Sequence, residues 1–344
     1  MEKVRSEKFT AFQCAAFAAL TVACALLCVC AGSVDIPVRD TLSAIRSALF
    51  STAYTGGTAQ SIILSVRLPR VLCAALVGGA LSVSGAAMQG LLRNPLADGS
   101  TLGVSSGASL GAVIAIAFGV QLPGLPFAGT MGLAMLFAFL SLAAILSLAY
   151  RLDSSLSTNT IILTGVVFSM FANSITSLIV TFAGEHVKSI MFWTMGSLSG
   201  SNYTDALTLL AGFAVCGGLL LCLSRELNAF SVGEDNARHV GVDVRRVKLA
   251  VLIASSALIG ICVSVSGTIG FVGLVVPHVA RLLTGPNHAR LLPASAFAGA
   301  IFLMLADLAA RVVLRPRELP IGVVTSFIGT IVFIAVFYKA GRSK

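Results

Sequence analysis

SVGEDNARHVGVDVRRVK, residues 231–248, packs seven charged side chains into 18 positions: Glu234, Asp235, Arg238, Asp243, Arg245, Arg246 and Lys248. The whole chain of 344 residues holds only 23 Lys and Arg and 14 Asp and Glu. Ser231 and Glu234 form an S-x-x-E pattern, in which each side chain can satisfy a backbone N–H at a helix start. Ala237 to Val240 extend that helix. Gly241 stands where a left-handed residue ends it, and Asp243 can cap a second short helix from Val244. The segment 229–248 therefore reads as helix, glycine turn, helix. Two readings fit it: an amphipathic loop lying on anionic headgroups, or a docking surface for a cytosolic protein, to which the two caps would give a defined shape.

Long apolar runs lie on both sides. The chain is 57% hydrophobic and 11% charged, with mean hydropathy +0.96, whereas soluble domains carry about 25% charged residues. A soluble protein could not cover itself with so few polar groups. Segments able to cross about 30 Å of hydrocarbon lie near 9–31, 66–92, 101–120, 128–149, 160–183, 203–224, 247–267, 293–314 and 321–338. A shorter, irregular one at 269–284 contains Pro277, His278 and Arg281. The expected fold is an all-α polytopic membrane protein of about ten spans, one domain over residues 1–344. Residues 1–8 are charged and 9–31 apolar. That run is longer than a signal-peptide core and ends without a small-x-small site, so it reads as an uncleaved first span.

Ten spans put both termini on one side. With the N-terminus inside, fifteen of the 23 Lys and Arg fall on inner segments and eight on outer ones, so the positive-inside rule predicts cytoplasmic termini and a cytoplasmic island. The net charge of +9 follows from the same rule and gives no sign of nucleic-acid binding. The eight cysteines lie in apolar segments without a CxxC pair and read as small buried hydrophobes. Gly103, Gly107 and Gly111 recur every four residues, a close-packing face. SVSG occurs at 82–85 and 264–267, each inside a span that opens a four-span group. Spans 2–5 and 7–10 run in opposite senses, which suits an inverted repeat.

No nucleotide-binding G-x-x-x-x-G-K-[ST], H-E-x-x-H or G-x-S-x-G is present, nor a Cys/His metal set. An intramembrane enzyme would need such a set. A proton-coupled transporter would show several carboxylates or histidines mid-span; here Asp307 stands out, four residues before Arg311 and placed for a local ion pair. Arg67 and Arg70 at the outer start of the second span, and Arg311, Arg315 and Arg317 at the outer end of the ninth, read either as snorkelling anchors or as a basic rim for acidic groups. In RNPLADGSTLG, 93–103, Asn94-Pro95 marks a turn, and Asp98, Ser100 and Thr101 can cap the next helix. That segment is a tight connector or an inner gate.

At these residues the sequence resembles the FecCD-type permease subunits of ABC importers for ferric siderophores, haem and cobalamin. The matching pieces are RLPR at 67–70, SGAAMQGLLRNPLAD at 84–98, LGVSSGA at 102–108, LSTNTIILTGV at 156–166, VGEDNARHVGV at 232–242, GTIGFVGLVVPHVARLLTGPNHARLLPAS at 267–295, ADLAAR at 306–311 and ELPIGVVTSFIGTIVF at 318–333. GTIVF departs from the proline-containing family pattern at that point.

The resemblance implies two permease subunits, as a homodimer or with a paralogue, around a central pathway. It implies two cytosolic ATPases beneath and a solute-binding protein outside, in the cytoplasmic (inner) membrane. It casts Ser231, Glu234, Arg238, Gly241 and Asp243 as coupling residues toward the ATPase. Arg67, Arg70 and Arg311 become docking residues for the binding protein, and Asn94, Leu96, Ser157 and Thr158 the cytoplasmic gate. ATP and Mg belong to the ATPase, and this chain binds no cofactor. A ferric siderophore is the first expected substrate, with cobalamin and haem next; a secondary transporter is the alternative of another class.

Overall fold

The computed structural model describes residues 9–50, 57–99, 102–120 and 128–342; Ser100, Thr101 and the basic residues at both extreme ends lie outside them. Among the described residues there are fourteen helices and no strand. In chain order they are α1 (Ala11–Cys30), α2 (Val38–Phe50), α3 (Gly57–Leu91), α4 (Val104–Ala117), α5 (Ala128–Leu152), α6 (Thr158–Phe182), α7 (Val187–Thr194), α8 (Tyr203–Cys222), α9 (Ser224–Val232), α10 (Glu234–His239), α11 (Val244–Ser266), α12 (Val272–Thr284), α13 (His288–Val312) and α14 (Ile321–Arg342). Seven are long and apolar enough to cross a membrane: α1, α3, α5, α6, α8, α11 and α13. Shorter apolar helices at α4, α12 and α14 complete the ten expected spans. The second span begins earlier than expected, at Gly57, through a π-helical segment Ile62–Arg67. Helices α2 and α7 have no counterpart in the sequence reading.

Helix α3 is the hub. Its residues from Pro69 to Leu91 are almost all buried, and α1, α8, α11, α12 and α13 pack around it. The approach is close because glycine removes side chains where backbones cross. A Cβ at Gly85 would collide with the carbonyl of Gly273 in α12, and one at Gly78 with that of Gly299 in α13. In the same way Gly107 and Gly111 of α4 seat the helix on Phe137, Ser141 and Leu133 of α5. Gly103 belongs elsewhere: it is the left-handed N-cap of α4 (φ 77°), and the expected caps Ser100 and Thr101 lie outside the described residues.

The contacts repeat between two four-helix groups. Helix α3 packs on α12 and α13 as α11 packs on α4 and α5; α4 packs on α5 and α6 as α12 packs on α13 and α14. The second helix of each group, α4 or α12, has only 14 or 13 residues, roughly 20 Å at 1.5 Å per residue. Each is preceded by irregular backbone, 93–99 with 102–103 and 267–271, with left-handed residues at Arg93, Gly103, Gly267 and Phe271. Such backbone is tolerated at membrane depth where protein surrounds it, and Ala97 and Leu102 are buried. GTIVF at 329–333 sits inside the unbroken α14.

Candidate coupling, gate and docking sites

The charged island folds differently from the expected pair of helices. Leu227 and Phe230 of α9 are fully buried against α3 and α13, and this packing carries α9 through Ser231. The Ser231 hydroxyl donates back to Asn228 O (2.6 Å). The expected capping box is therefore absent. Gly233, at φ 130°, breaks the chain instead, and α10 starts at Glu234. The turn at Gly241 is as expected. It lies at φ 88°, Gly241 N donates to Arg238 O (3.0 Å) and Val242 N to Ala237 O (3.0 Å), the two bonds of a Schellman end. Asp243 accepts from Arg246 N (3.1 Å), but the helix it caps is the span α11 itself, not a second short helix. Arg238 pairs with Asp235 and Arg246 with Asp243, all four exposed; such pairs add little stability. Val232 at the end of α9 and Val240 at the end of α10 stand exposed.

Glu234 does something the sequence reading missed. Its carboxylate lies 2.7 Å from Lys248 Nζ, and Lys248 is 1% exposed. The same ammonium donates to Leu156 O (2.9 Å). Leu156, left-handed at φ 52°, directly precedes Ser157. Nothing in the spacing marks this lysine, because one of its partners is a carbonyl 92 residues away.

The four expected gate residues lie at two short loops. The Asn94 side chain accepts from Leu96 N (2.9 Å), which turns the chain and leaves Leu96 exposed. Ser157 is the N-cap of α6, accepting from Thr160 N, and Thr158 is the first residue of that helix. Asp153 braces this loop, accepting from Ser155 N (2.9 Å), Ser155 Oγ (2.7 Å) and Ser157 N (3.1 Å). Those hydrogen bonds hold its carboxyl well below the usual carboxylate range.

Three of the arginines expected at the outer helix ends are buried in this chain. Arg67, Arg70 and Arg311 are 4%, 7% and 3% exposed, so they form no open basic rim. Arg67 Nη1 donates to Val29 O and Cys30 O (both 2.9 Å), and Nη2 to Val34 O. Arg311 donates to Cys28 O (3.2 Å) and Ala31 O (3.3 Å). Helix α1 has no basic residue in its last turn. Its orphan carbonyls, which favour cations, are thus capped by two other spans. Arg70 binds Asp307 (2.9 Å) and Glu318 (2.8 Å). Arg311 Nε lies 2.9 Å from the other Asp307 oxygen, the local pair expected from their spacing. Burial follows because carbonyls and carboxylates of the chain itself satisfy these donors.

Two cavities open between the helices. One, a shallow open groove of about 580 Å³, is lined by Thr194, Met195, Thr268, Val323, Ser326, Phe327 and Thr330, with glycines between them and no charged side chain. Another, of about 740 Å³, lies among the ends of α4, α7, α8 and α11 and includes Trp193, Asn202, Asp205 and Ser266. Neither was legible in the sequence, since their hydroxyls come from segments distant in the chain. No group of three metal-ligating side chains occurs among the described residues.

Comparison with protein families matches residues 20–339 to the FecCD transport family. The chain belongs to that family. Curated relatives agree with the assignment. The uncharacterized ABC transporter permease YvrB of Bacillus subtilis (strain 168) is 42% identical, covering 99% of this chain and 98% of its own. The cobalamin import permease BtuC of Halobacterium salinarum is 40% identical over 80% of this chain and 73% of its own. The molybdate import permease MolB of Haemophilus influenzae is 38% identical over 82% of each. A solved ABC transporter described as of the metal-chelate type, in an inward-facing conformation, shares 33% identity with a TM-score of 0.82, covering 95% of this chain and 98% of that one. As a FecCD permease the chain is the multi-pass membrane subunit of an ABC importer, and ATP hydrolysis belongs to a separate subunit.

Proposed function

We propose that this FecCD permease imports a bulky metal chelate, with cobalamin the first to test. The observation that carries the reading is the uncharged open groove beside α14. Its walls offer threonine and serine hydroxyls, Met195, Val323 and Phe327. Such a wall is weakly attractive to a large solute with a mixed surface and offers no fixed cation to a naked oxyanion. Relatives for cobalamin at 40% identity and a metal-chelate transporter at 33% support it. Molybdate, carried by a relative at 38%, is the rival the wall chemistry disfavours. The ferric siderophore expected from sequence remains a chelate of the same class.

In this reading two copies, or this chain and a paralogue, enclose the pathway in the cytoplasmic membrane with both termini inside. Two ATPase subunits, holding ATP and Mg, seat against α10. The exposed Val232 at the end of α9 and Val240 at the end of α10 supply apolar contacts inside a charged rim formed by Arg238, Asp243 and their neighbours. The loops at Asn94–Leu96 and Ser157–Thr158 close the inner end. Outside, Arg67, Arg70 and Arg311 act as the frame beneath the docking face of the binding protein, fixing the ends of α1, α3 and α13. A secondary transporter is disfavoured because Asp307 is held by two arginines.

The test is uptake of labelled cyanocobalamin, molybdate, haem and a ferric siderophore by cells with and without this chain, with ATP or the proton gradient removed in turn. ATP-dependent loss of cyanocobalamin uptake on deletion is the expected result. ATP-dependent loss of molybdate uptake alone would overturn the substrate. Uptake that survives ATP depletion and fails with the proton gradient would overturn the ATP-driven mechanism.

A further inference from the structure

The Lys248 ammonium joins three elements that the chain keeps apart. It extends from the first turns of α11, pairs with Glu234 at the first residue of α10 (2.7 Å), and donates to the carbonyl of Leu156 (2.9 Å), one residue before the N-cap of α6. The other inner loop meets the same point. The Arg93 guanidinium, one residue before Asn94, lies beside Gly233, 3.9 Å from where a Cβ would stand. Helix α10 is otherwise loosely held. Ala237 is its only buried residue, and left-handed glycines flank it at 233 and 241.

From this arrangement we infer that Lys248 is the positioning residue that transmits displacement of α10 to the Ser157–Thr158 loop. The inference rests on the coupling and gate roles proposed above. A buried ammonium cannot part from its counter-charge without leaving an uncompensated charge away from water. Movement of Glu234 therefore draws Nζ, and Nζ holds Leu156 O. The link runs through one side-chain atom and not through the backbone between residues 158 and 234, which crosses the membrane twice in α6 and α8.

The test uses the assembled permease–ATPase complex in lipid nanodiscs, with the exposed Cys14 and Cys222 replaced by serine. Single cysteines are placed at Val240, on the α10 turn, and at Asn159, exposed in the first turn of α6. Labelling by a membrane-impermeant maleimide is followed with and without ATP plus vanadate. With Lys248 present, the ATPase protects position 240 and nucleotide trapping changes the rate at position 159 at least tenfold. Lys248→Met is expected to keep the protection at 240 and the ATPase activity while reducing the response at 159 to less than twofold. A full response at 159 in that variant would overturn the link. A merely structural lysine would lower thermal stability and move both reporters together, which also overturns it. Should Lys248→Met fail to assemble, Lys248→Gln, which removes the charge paired with Glu234 but keeps a polar side chain of similar reach, serves with the same outcomes. Absence of protection at 240 with Lys248 in place would instead refute the coupling surface, and protection without any response at 159 would refute the gate; either removes the basis of the link.

Discussion

Asp307 is ion-paired with two arginines at once, and one of these, Arg311, caps the end of α1 in turn. Removing one member of a buried charge set costs about 3–5 kcal/mol, because it strands the others. Arg70 retains Glu318, so Asp307→Asn is expected to fall at the lower end of that range. Thermal unfolding of the purified protein should show a clear drop in Tm. Arg315→Ala breaks only the exposed pair with Asp35, worth about 0–1 kcal/mol, and should leave Tm nearly unchanged. Equal effects would mean that the buried set does not hold the outer helix ends. A second contrast separates packing glycines from incidental ones. Gly85→Ala would drive a methyl into Gly273 O, whereas a Cβ at Gly132 of α5 meets nothing within 4 Å. The first should destabilise by about 1–3 kcal/mol. The second should be neutral or stabilising by about 0.4–1 kcal/mol, and a cost at Gly132 as large as at Gly85 would refute the packing account.

At the scale of elements, the α10 turn can be tested without touching its charges. Gly241 has φ 88° and open space around it, so only backbone strain opposes a side chain. Proline at 241 cannot adopt that φ and removes the N–H that reaches Arg238 O. Gly241→Pro is expected to abolish uptake while the protein still inserts into the membrane, as judged by fractionation and by uptake in the same cells. Normal uptake would argue against α10 as a coupling element. This turn was legible in sequence because its chemistry is local: a left-handed glycine followed by an aspartate cap lies within seven residues. The Ser231–Glu234 cap was misread because burial of Leu227 and Phe230 outweighs one hydroxyl's preference for a helix start. The ten spans were legible from hydropathy, whereas α2, with three charged residues in thirteen, and α7, with eight residues, fall outside any span-length signal. Arg70 shows the remaining limit: its partners at 307 and 318 lie more than 230 residues away, and no periodicity connects them.

For the whole molecule, the distribution of exposed charge replaces the rim expected from Arg67, Arg70 and Arg311. With those three buried, the exposed arginines on the face that the proposed orientation turns outward are, among the described residues, Arg39 and Arg46 on α2 and Arg315 and Arg317 after α13. A binding protein that brings carboxylates to this face would meet their field first. Charges at the edge of an interface act chiefly on the association rate and its salt dependence, and screening sets in over about 10 Å at 0.1 M salt. Arg317→Glu is therefore expected to slow association of the binding protein several-fold at low salt, with the difference shrinking as salt rises, and to leave Tm unchanged. Arg67→Glu should behave in the opposite way. It would set a carboxylate against the carbonyl end of α1, lower Tm and folded yield, and leave the salt dependence of any folded fraction as it was. Surface-plasmon kinetics across a salt series, read beside unfolding curves, separates the two. A salt-dependent loss at Arg67 with normal stability would mean that its guanidinium leaves the α1 carbonyls to meet the partner, and would restore it as a direct docking residue.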